Sequence, residues 1–371
     1  MDRGNLNNSV MKTYMKVHLD ALEKNYRVQE EKLPAGTEIM AVVKADAYGL
    51  GAVPIAKKLA QLGCMYFAVT FIEEAIALRK AGLTGQILAM MPIEPDELDL
   101  ACKYDVTIII KSVDHGKTLS EAALSRGVNL KAHIKLDCGL GRMGIVLWGR
   151  EDEAFEDIRQ ICALCGLNIV GIFTHITSAG TTHDGGQLDR RELELFSNIC
   201  DRLENRGIHL LRHCLSSEPW ERYPKYAFDF VRVGTCLYLR NHTVTLQTEI
   251  VQLKTLPERV PVSYGPTFYT NRRTKAAIVP IGFADGIGRK LSSKGEMLVR
   301  GQRVPIIGKI CCDHTILDVT EVQGVEEGDT VTIFGTDGSE SQDVIDYAEL
   351  LGASEPEITS VLARRITRIY E

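Results

Sequence analysis

Lys44 ends the apolar run of the segment AVVKADAYG, where an ammonium held in apolar surroundings is costly unless it is neutral or bonded. Condensation with an aldehyde cofactor removes that cost and gives the amine a task. A strand-end lysine that reaches solvent is the plainer alternative. Other reactive or anion-binding residues also follow apolar runs. Lys135 closes KAHIK, and Arg142 lies just beyond it in KLDCGLGRMG. His175 follows GIFT, Ser216 and Ser217 follow HCL, and Arg232 and Gly234 end FVRVG. Two lysines and two arginines at such positions suit an anionic cofactor and a carboxylate substrate. Ser217 and Gly234 suit a phosphate cradle, since a hydroxyl and an amide without a side chain can approach phosphate oxygens. Taken singly, each has an ordinary reading. His175 suits a satisfied core histidine, Arg142 a surface loop residue and Tyr48 an amphipathic rim residue.

The elements that must position these residues are legible as a rhythm. Short apolar runs occupy 39–43, 66–69, 86–90, 106–110, 132–136, 169–174, 210–215 and 230–233. Unbroken Val/Ile/Leu-rich runs of this length predict parallel strands buried on both faces. Helical patterns lie between them at 54–62, 73–81, 113–126 and 188–206, with Gly63, Gly82, Gly127 and Gly207 just beyond as stop signals. Eight such units predict a (β/α)8 TIM-like barrel, whose chemistry sits at the C-terminal ends of its strands. A doubly wound open sheet is the alternative, but no GxGxxG follows the first run. Past about residue 245 the segments become β-like with glycine turns, at 274–281, 297–299, 303–310, 315–319 and 330–334, with one helical stretch at 341–351. This predicts a mostly β C-terminal domain. The expected boundaries are 1–19 for a leader and a strand (14–18) that pairs with the C-terminal domain, 20–244 for the barrel and 245–371 for the β-rich domain.

Composition narrows the function classes. The chain has 371 residues, 45% hydrophobic, and a formal net charge of -6. That balance carries no electrostatic footprint for nucleic acid. No stretch approaches the roughly 20 apolar residues of a membrane helix. The polar first ten residues lack the core of a secretory signal. They read as a leader before a natural start at Met11, or as a linker from a preceding domain. A cytoplasmic chain is expected. The ten cysteines, including the Cys162/Cys165 pair, read as buried thiols of a reducing compartment. Cys311, Cys312 and His314 lack a fourth neighbour for a tetrahedral zinc site, so no metal is expected.

Taken together, these residues resemble the alanine racemase family, fold-type III pyridoxal 5'-phosphate enzymes. The resemblance runs from VHLDALEKN to RRITRIY. It is carried by AVVKADAYGLG, KLDCGLGRMG, VSYGPTF, GFADG and KICCDHT in the family's order. It implies a two-base racemase acting on a small amino acid, feeding cell-wall peptidoglycan precursors. Lys44 would bind the cofactor and then act as one base. Tyr264 would be the opposing base, reaching the site from the second subunit of a homodimer. Arg232 would face the pyridine nitrogen, and His175 would support Arg232. Tyr48, Ser217 and the backbone at Gly234 and Thr235 would hold the phosphate. Arg142 would meet the cofactor phenolate and the substrate carboxylate, oriented by Lys135, a position often carbamylated in the family. The backbone at Cys312, with Asp313 beside it, would line the substrate end.

The chain departs from the family pattern in four places. Ser216-Ser217 stands where Asn-Ser is usual, Phe283 where Tyr is usual and Cys312 where Met is usual. No tyrosine stands near Glu355-Pro356, where the family often has one at the phosphate. Such changes are similar to those of serine racemases of vancomycin resistance, whose soluble half follows a membrane domain. Alanine is therefore the leading substrate and serine the close rival, because pockets reject an added hydroxyl poorly. A fold-type III decarboxylase is disfavoured by VSYGPTF. A non-catalytic cofactor-binding barrel is disfavoured by the residues beyond 245.

Overall fold

Each of the eight apolar runs becomes a strand. The computed structural model describes residues 12–177 and 186–371, so the leader at 1–10 lies outside the described residues. The barrel strands are Glu38–Val42, Tyr66–Val69, Gln86–Ala89, Val106–Ile110, Leu130–Asp137, Leu167–Phe173, Leu211–His213 and Phe230–Val233. They pair in parallel in chain order, and the eighth pairs back onto the first in the register Arg232↔Met40. Between the seventh and eighth, a parallel bridge joins Ser216 to Arg232, and the Arg232 N–H donates to Leu215 O at 3.1 Å. The result is a nearly closed barrel. Ile108, Ile109 and Ile110 are all fully buried, as strands covered on both faces require.

The intervening helices follow local signals. Helix Val113–Arg126 starts where the Ser112 hydroxyl accepts the His115 N–H, and it stops at Gly127 in the left-handed conformation. Helix Glu151–Cys162 carries Glu151, Asp152 and Glu153 in its first turn, where acids complement the helix dipole.

The chain divides into two compact units. One comprises Glu23–Ala47 and Ala52–Leu237, which contain the barrel; the other takes the chain before it, Tyr48–Gly51 and Tyr238–Glu371. In the second unit, strand Thr13–Val17 lies between Val244–Glu249, antiparallel, and Thr367–Tyr370, parallel. The sheet continues through Thr330–Asp337 to Glu296–Val299 and Gln302–Pro305. A three-stranded antiparallel sheet adds Gln252–Leu256, Thr274–Val279 and Thr315–Asp318. The helical stretch read at 341–351 begins only at Val344, because Asp343 caps it and residues 340–342 pair with Thr330–Asp337. The run read at 303–310 is a strand only over Gln302–Pro305; at Gly308 the backbone turns left-handed. Among the described residues, no helix is long and apolar enough to cross a membrane.

The cysteine reading needs correction. Cys64, Cys138, Cys200 and Cys214 are buried thiols, but Cys165 and Cys312 are exposed and the other four are intermediate. Cys165 lies beyond the end of helix Glu151–Cys162, so its helical periodicity does not set its burial.

Two glycines of AYGLG are steric necessities. Gly49 has φ 84° and Gly51 φ 103°; a Cβ would lie 2.2 Å from Thr359 O and 1.9 Å from the Tyr370 hydroxyl, respectively. Thr359 O is backbone and cannot swing away. Gly49→Ala should therefore destabilise the protein by about 3 kcal/mol or more, from a left-handed backbone plus overpacking. Gly352→Ala, also left-handed but with no atom near its Cβ, should cost only about 1 kcal/mol. Denaturant midpoints of the two variants check this difference, and equal losses would contradict it.

Candidate active site

After Val43, whose N–H donates to Ala68 O, the chain leaves the first barrel strand in an unusual way. Ala45, Asp46, Ala47 and Tyr48 all have φ between 50° and 56°. Four consecutive non-glycine residues in the left-handed region cost roughly 1–2 kcal/mol each, so the surroundings must impose this turn. Three bonds do so. The Ala47 N–H donates to Val43 O at 3.0 Å, the Ala45 N–H to Glu74 Oε1 at 2.6 Å, and Asp46 Oδ1 accepts the Ala52 N–H at 2.7 Å. The turn sets Lys44 at the strand end, half-buried. Burial and then the Arg142 guanidinium hold its ammonium below the ordinary lysine range, and Glu74 opposes them. A nucleophilic lysine needs that direction of shift. Tyr48, at the far end of the turn, packs edge-on against Tyr238 with ring centroids 5.6 Å apart.

Arg232, on the eighth strand, is almost wholly buried. Its Nη1 donates to His213 Nδ1 at 2.8 Å; its Nη2 reaches Thr174 O at 2.8 Å and His175 Nδ1 at 3.1 Å. A guanidinium only donates, so both Nδ1 atoms accept and both imidazoles are neutral in this arrangement. His213 then carries its proton on Nε2 and donates it to His133 Nδ1 at 2.9 Å. Burial, followed by the Arg232 charge, pushes His133 down to about 4 and His213 well below the ordinary histidine value. Burial and then the charges of Arg232, Arg142, Lys135 and Lys44 also hold His175 far below the ordinary histidine value.

Lys135 is also buried, with its Nζ donating to Leu136 O at 2.5 Å above the Phe173 ring. Burial and then Arg232 push it down to about 7. Arg142 is exposed on the loop that follows, which Asp137 shapes by accepting the Gly139 and Gly141 N–H groups at 3.1 and 3.0 Å. Ser217 Oγ accepts the Gly234 N–H at 3.0 Å, so that amide is already engaged while the hydroxyl proton stays free to donate. Thr235 opens the short helix Thr235–Tyr238.

The barrel thus brings together Lys44, Lys135, Arg142, His175, Ser217, Arg232 and Gly234. None of the four cations makes an ion pair with a carboxylate among the described residues. The acids that act on the two lysines, Glu74 and Asp137, spend oxygens on backbone N–H groups. Concentrated positive charge without a counter-charge fits a dianionic phosphate and a carboxylate. Arg232 adds a further fit: its Nε–H has no acceptor among the described residues, so it is available to an acceptor such as a ring nitrogen.

Tyr264, Cys312 and Asp313 belong to the second unit and lie close to one another in it. Tyr264 is 67% exposed, between Ser263 and Gly265, both with φ 64°. The Ser263 hydroxyl donates to Lys309 O at 2.5 Å and lies 3.4 Å from Cys311 Sγ, which ties the Tyr264 loop to the segment carrying Cys312. Arg365 links Asp313 and Asp285, both at 2.5 Å, and Phe283 and Ala284 donate their N–H groups to Cys311 O and Cys312 O. Where the expected tyrosine is missing, Glu355 pairs with Arg240 at 3.2 Å. Glu74, His133 and His213 join the site without having been expected from the sequence. The two histidines carried a signal, since each is a polar residue inside an apolar run; Glu74 carried none beyond its place early in a helix.

The buried imidazoles have a pH consequence. Their folded values lie below the ordinary histidine value, so the unfolded chain binds more protons between about 4 and 6.5. Stability from this pair is full above pH 6.5 and is lost as pH falls toward 4, on the order of 1 kcal/mol per pH unit for each histidine. The denaturant midpoint should therefore drop from pH 7.5 to pH 5, and less so in His133→Gln. An equal drop in both proteins would contradict the assignment.

Comparison with known proteins agrees across the whole chain. The model of the alanine racemase N-terminal domain matches residues 17–242, and that of the C-terminal domain matches 243–370. Alanine racemase 2 of Caldanaerobacter subterraneus subsp. tengcongensis is 37% identical, covering 96% of this chain and 94% of the relative. The alanine racemase of Halothermothrix orenii is 34% identical, covering 97% of each. Among solved structures, alanine racemase of Clostridium difficile 630 superposes with a TM-score of 0.90 at 27% identity, covering 98% of this chain and 96% of that one. The Bacillus anthracis enzyme with bound L-Ala-P gives 0.88 at 29%, covering 97% and 95%. The Bartonella henselae enzyme with covalently bound pyridoxal phosphate gives 0.86 at 25%, covering 97% and 99%. With a barrel of this order, cations gathered at one rim and matches of this extent over both units, the chain belongs to the alanine racemase family.

Proposed function

We propose that this chain is a pyridoxal-phosphate-dependent racemase that interconverts L- and D-alanine, with Lys44 and Tyr264 as its two bases. The observation that carries the reading is the set of cations without carboxylate partners, gathered around a strained turn that presents a partly desolvated lysine. The covalently held pyridoxal phosphate of the Bartonella henselae relative and the L-Ala-P of the Bacillus anthracis relative support it.

Lys44 Nζ would hold the cofactor's aldehyde carbon. Ser217, Tyr48, Thr235 and the backbone near Gly234 would take the phosphate, Arg142 the phenolate oxygen and the substrate carboxylate, and Arg232 the ring nitrogen. When bound, the cofactor supplies a conjugated system that spreads the negative charge left on Cα after its proton departs. The protein's residues must then handle that proton. Lys44 Nζ takes or returns it on one face and Tyr264 Oη on the other, so the centre inverts. Arg232 only donates and stays charged, so it would keep the ring nitrogen unprotonated and limit how far charge could run into the ring. Its cradle of neutral histidines and carbonyl oxygens holds it in that orientation. Lys135, pushed down to about 7, would have a neutral amine able to add to carbon dioxide with loss of one proton, and the resulting carbamate anion would steady Arg142. Cys312 and Asp313 would line the substrate end.

The exposure of Tyr264 suits its delivery into the barrel of a second subunit, so a homodimer with shared sites is part of the proposal. D-Alanine for peptidoglycan precursors is the corresponding role. Serine is the second reading, favoured by Phe283 and Cys312 beside the substrate end, which replace the family's usual residues.

Lys44→Ala should lose racemisation by at least about 1,000-fold, as expected for a residue that both holds the cofactor and moves the proton; retained turnover would remove Lys44 from the mechanism. Tyr264→Phe should lose racemisation while solvent exchange at Cα persists for one enantiomer. Loss of exchange to the same extent for both would count against a two-base assignment. D-Alanine and D-serine formation, assayed side by side with added pyridoxal phosphate, decides the substrate. A strong alanine preference supports the leading reading, and comparable serine turnover favours the second.

A further inference from the structure

We propose that Glu74 is a positioning residue that clamps the left-handed turn presenting Lys44. The proposal rests on the reading of Lys44 as the cofactor lysine. Glu74 lies in the first turn of helix Ile72–Lys80, which follows the second barrel strand. Its Oε2 accepts the N–H groups of Thr70 and Phe71 at 2.7 and 2.9 Å, so this oxygen caps the helix. Its Oε1 faces the other way and accepts the Ala45 N–H at 2.6 Å. One carboxylate therefore joins the exits of the first and second barrel strands.

Ala45 is the first of the four left-handed residues and the immediate neighbour of Lys44. The Ala47 N–H and the Asp46 carboxylate hold the middle of the turn, and only the Glu74 contact holds its start among the described residues. A bond between a charged acceptor and an N–H is among the stronger single contacts available to a backbone. Without it the strained residues can relax toward the ordinary right-handed or extended regions, and the Lys44 side chain would leave with them. Glu73, the adjacent acid, is exposed and makes no such contact.

Glu74→Gln separates the two tasks. The single amide oxygen can still serve Thr70 and Phe71, but the amide nitrogen then faces the Ala45 N–H donor to donor. In the full-length holoenzyme, amide exchange over residues 43–49 should rise at least about 10-fold in Glu74→Gln and stay unchanged in Glu73→Gln, with the melting temperature of both near that of the parent. At saturating cofactor, kcat should fall about 10-fold or more, with a smaller change in KM. Unchanged exchange at 43–49 in Glu74→Gln would overturn the proposal. The parent protein gives a test that needs no variant: the Ala45 amide should be protected like a strand amide, and exchange as fast as an exposed loop would also overturn it. Borohydride reduction of the parent holoenzyme, followed by peptide mapping, tests the underlying reading separately. A label on a lysine other than Lys44 would remove that reading, while the exchange result would still decide whether the clamp exists.

Discussion

Positive charge gathered in a half-buried space is the constraint around which the barrel's rim is organised. Lys44, Lys135, Arg142 and Arg232 all act on the half-buried His175, and none has a carboxylate in ion-pair reach among the described residues. Desolvated charges of one sign are costly unless hydrogen bonds and opposite charge offset them. The fold supplies only part of the offset. Arg232 is surrounded by carbonyl oxygens and by imidazoles that its own charge keeps neutral, while the two lysines are held below their ordinary range. An anionic cofactor and a carboxylate substrate would supply the remainder. Binding and folding share this electrostatic logic, since the same cations that cost the fold stability attract an anionic ligand.

The first strand's exit shows a second cost accepted for function. Four non-glycine residues stay left-handed there because carboxylates from two elements hold them and because Gly49 and Gly51 leave room for Thr359 and Tyr370. AVVKADAYGLG is thus a compact set of separate requirements. Its apolar run makes the strand, its lysine ends it, its acid caps the next helix and its glycines admit backbone that no Cβ would tolerate. In the second unit the Tyr264 loop is pinned in a similar way, through Ser263 and the segment that carries Cys312.

Much of this was legible in the sequence, because the informative patterns are local. All eight apolar runs became strands, since strands covered on both faces advertise themselves by composition. The C-terminal unit was less legible. Strand Gln252–Leu256 has no buried residue to mark a core face, and helix Glu355–Ser360 is too short to show a period. Side-chain roles divided along the same line. Lys44, Arg232 and Ser217 were found because they stand at strand ends, where the topology predicts chemistry. Glu74 was missed because its partners, Ala45 and Thr70, are brought to it only by the pairing of adjacent strands. His213 and His133 were passed over because they lie within strands rather than after them, and their hydrogen bonds join the fifth strand to the seventh and the seventh to the eighth.

The most direct test of the central claim follows the hydrogen on Cα. L-Alanine is converted by the enzyme in D2O, and early product and remaining substrate are analysed for deuterium. With Lys44 and Tyr264 on opposite faces, the D-alanine formed should carry deuterium at Cα while the unreacted L-alanine stays largely protiated. D-Alanine that retains the substrate's own hydrogen would mean that one base serves both faces, and the absence of D-alanine would remove the racemase reading altogether.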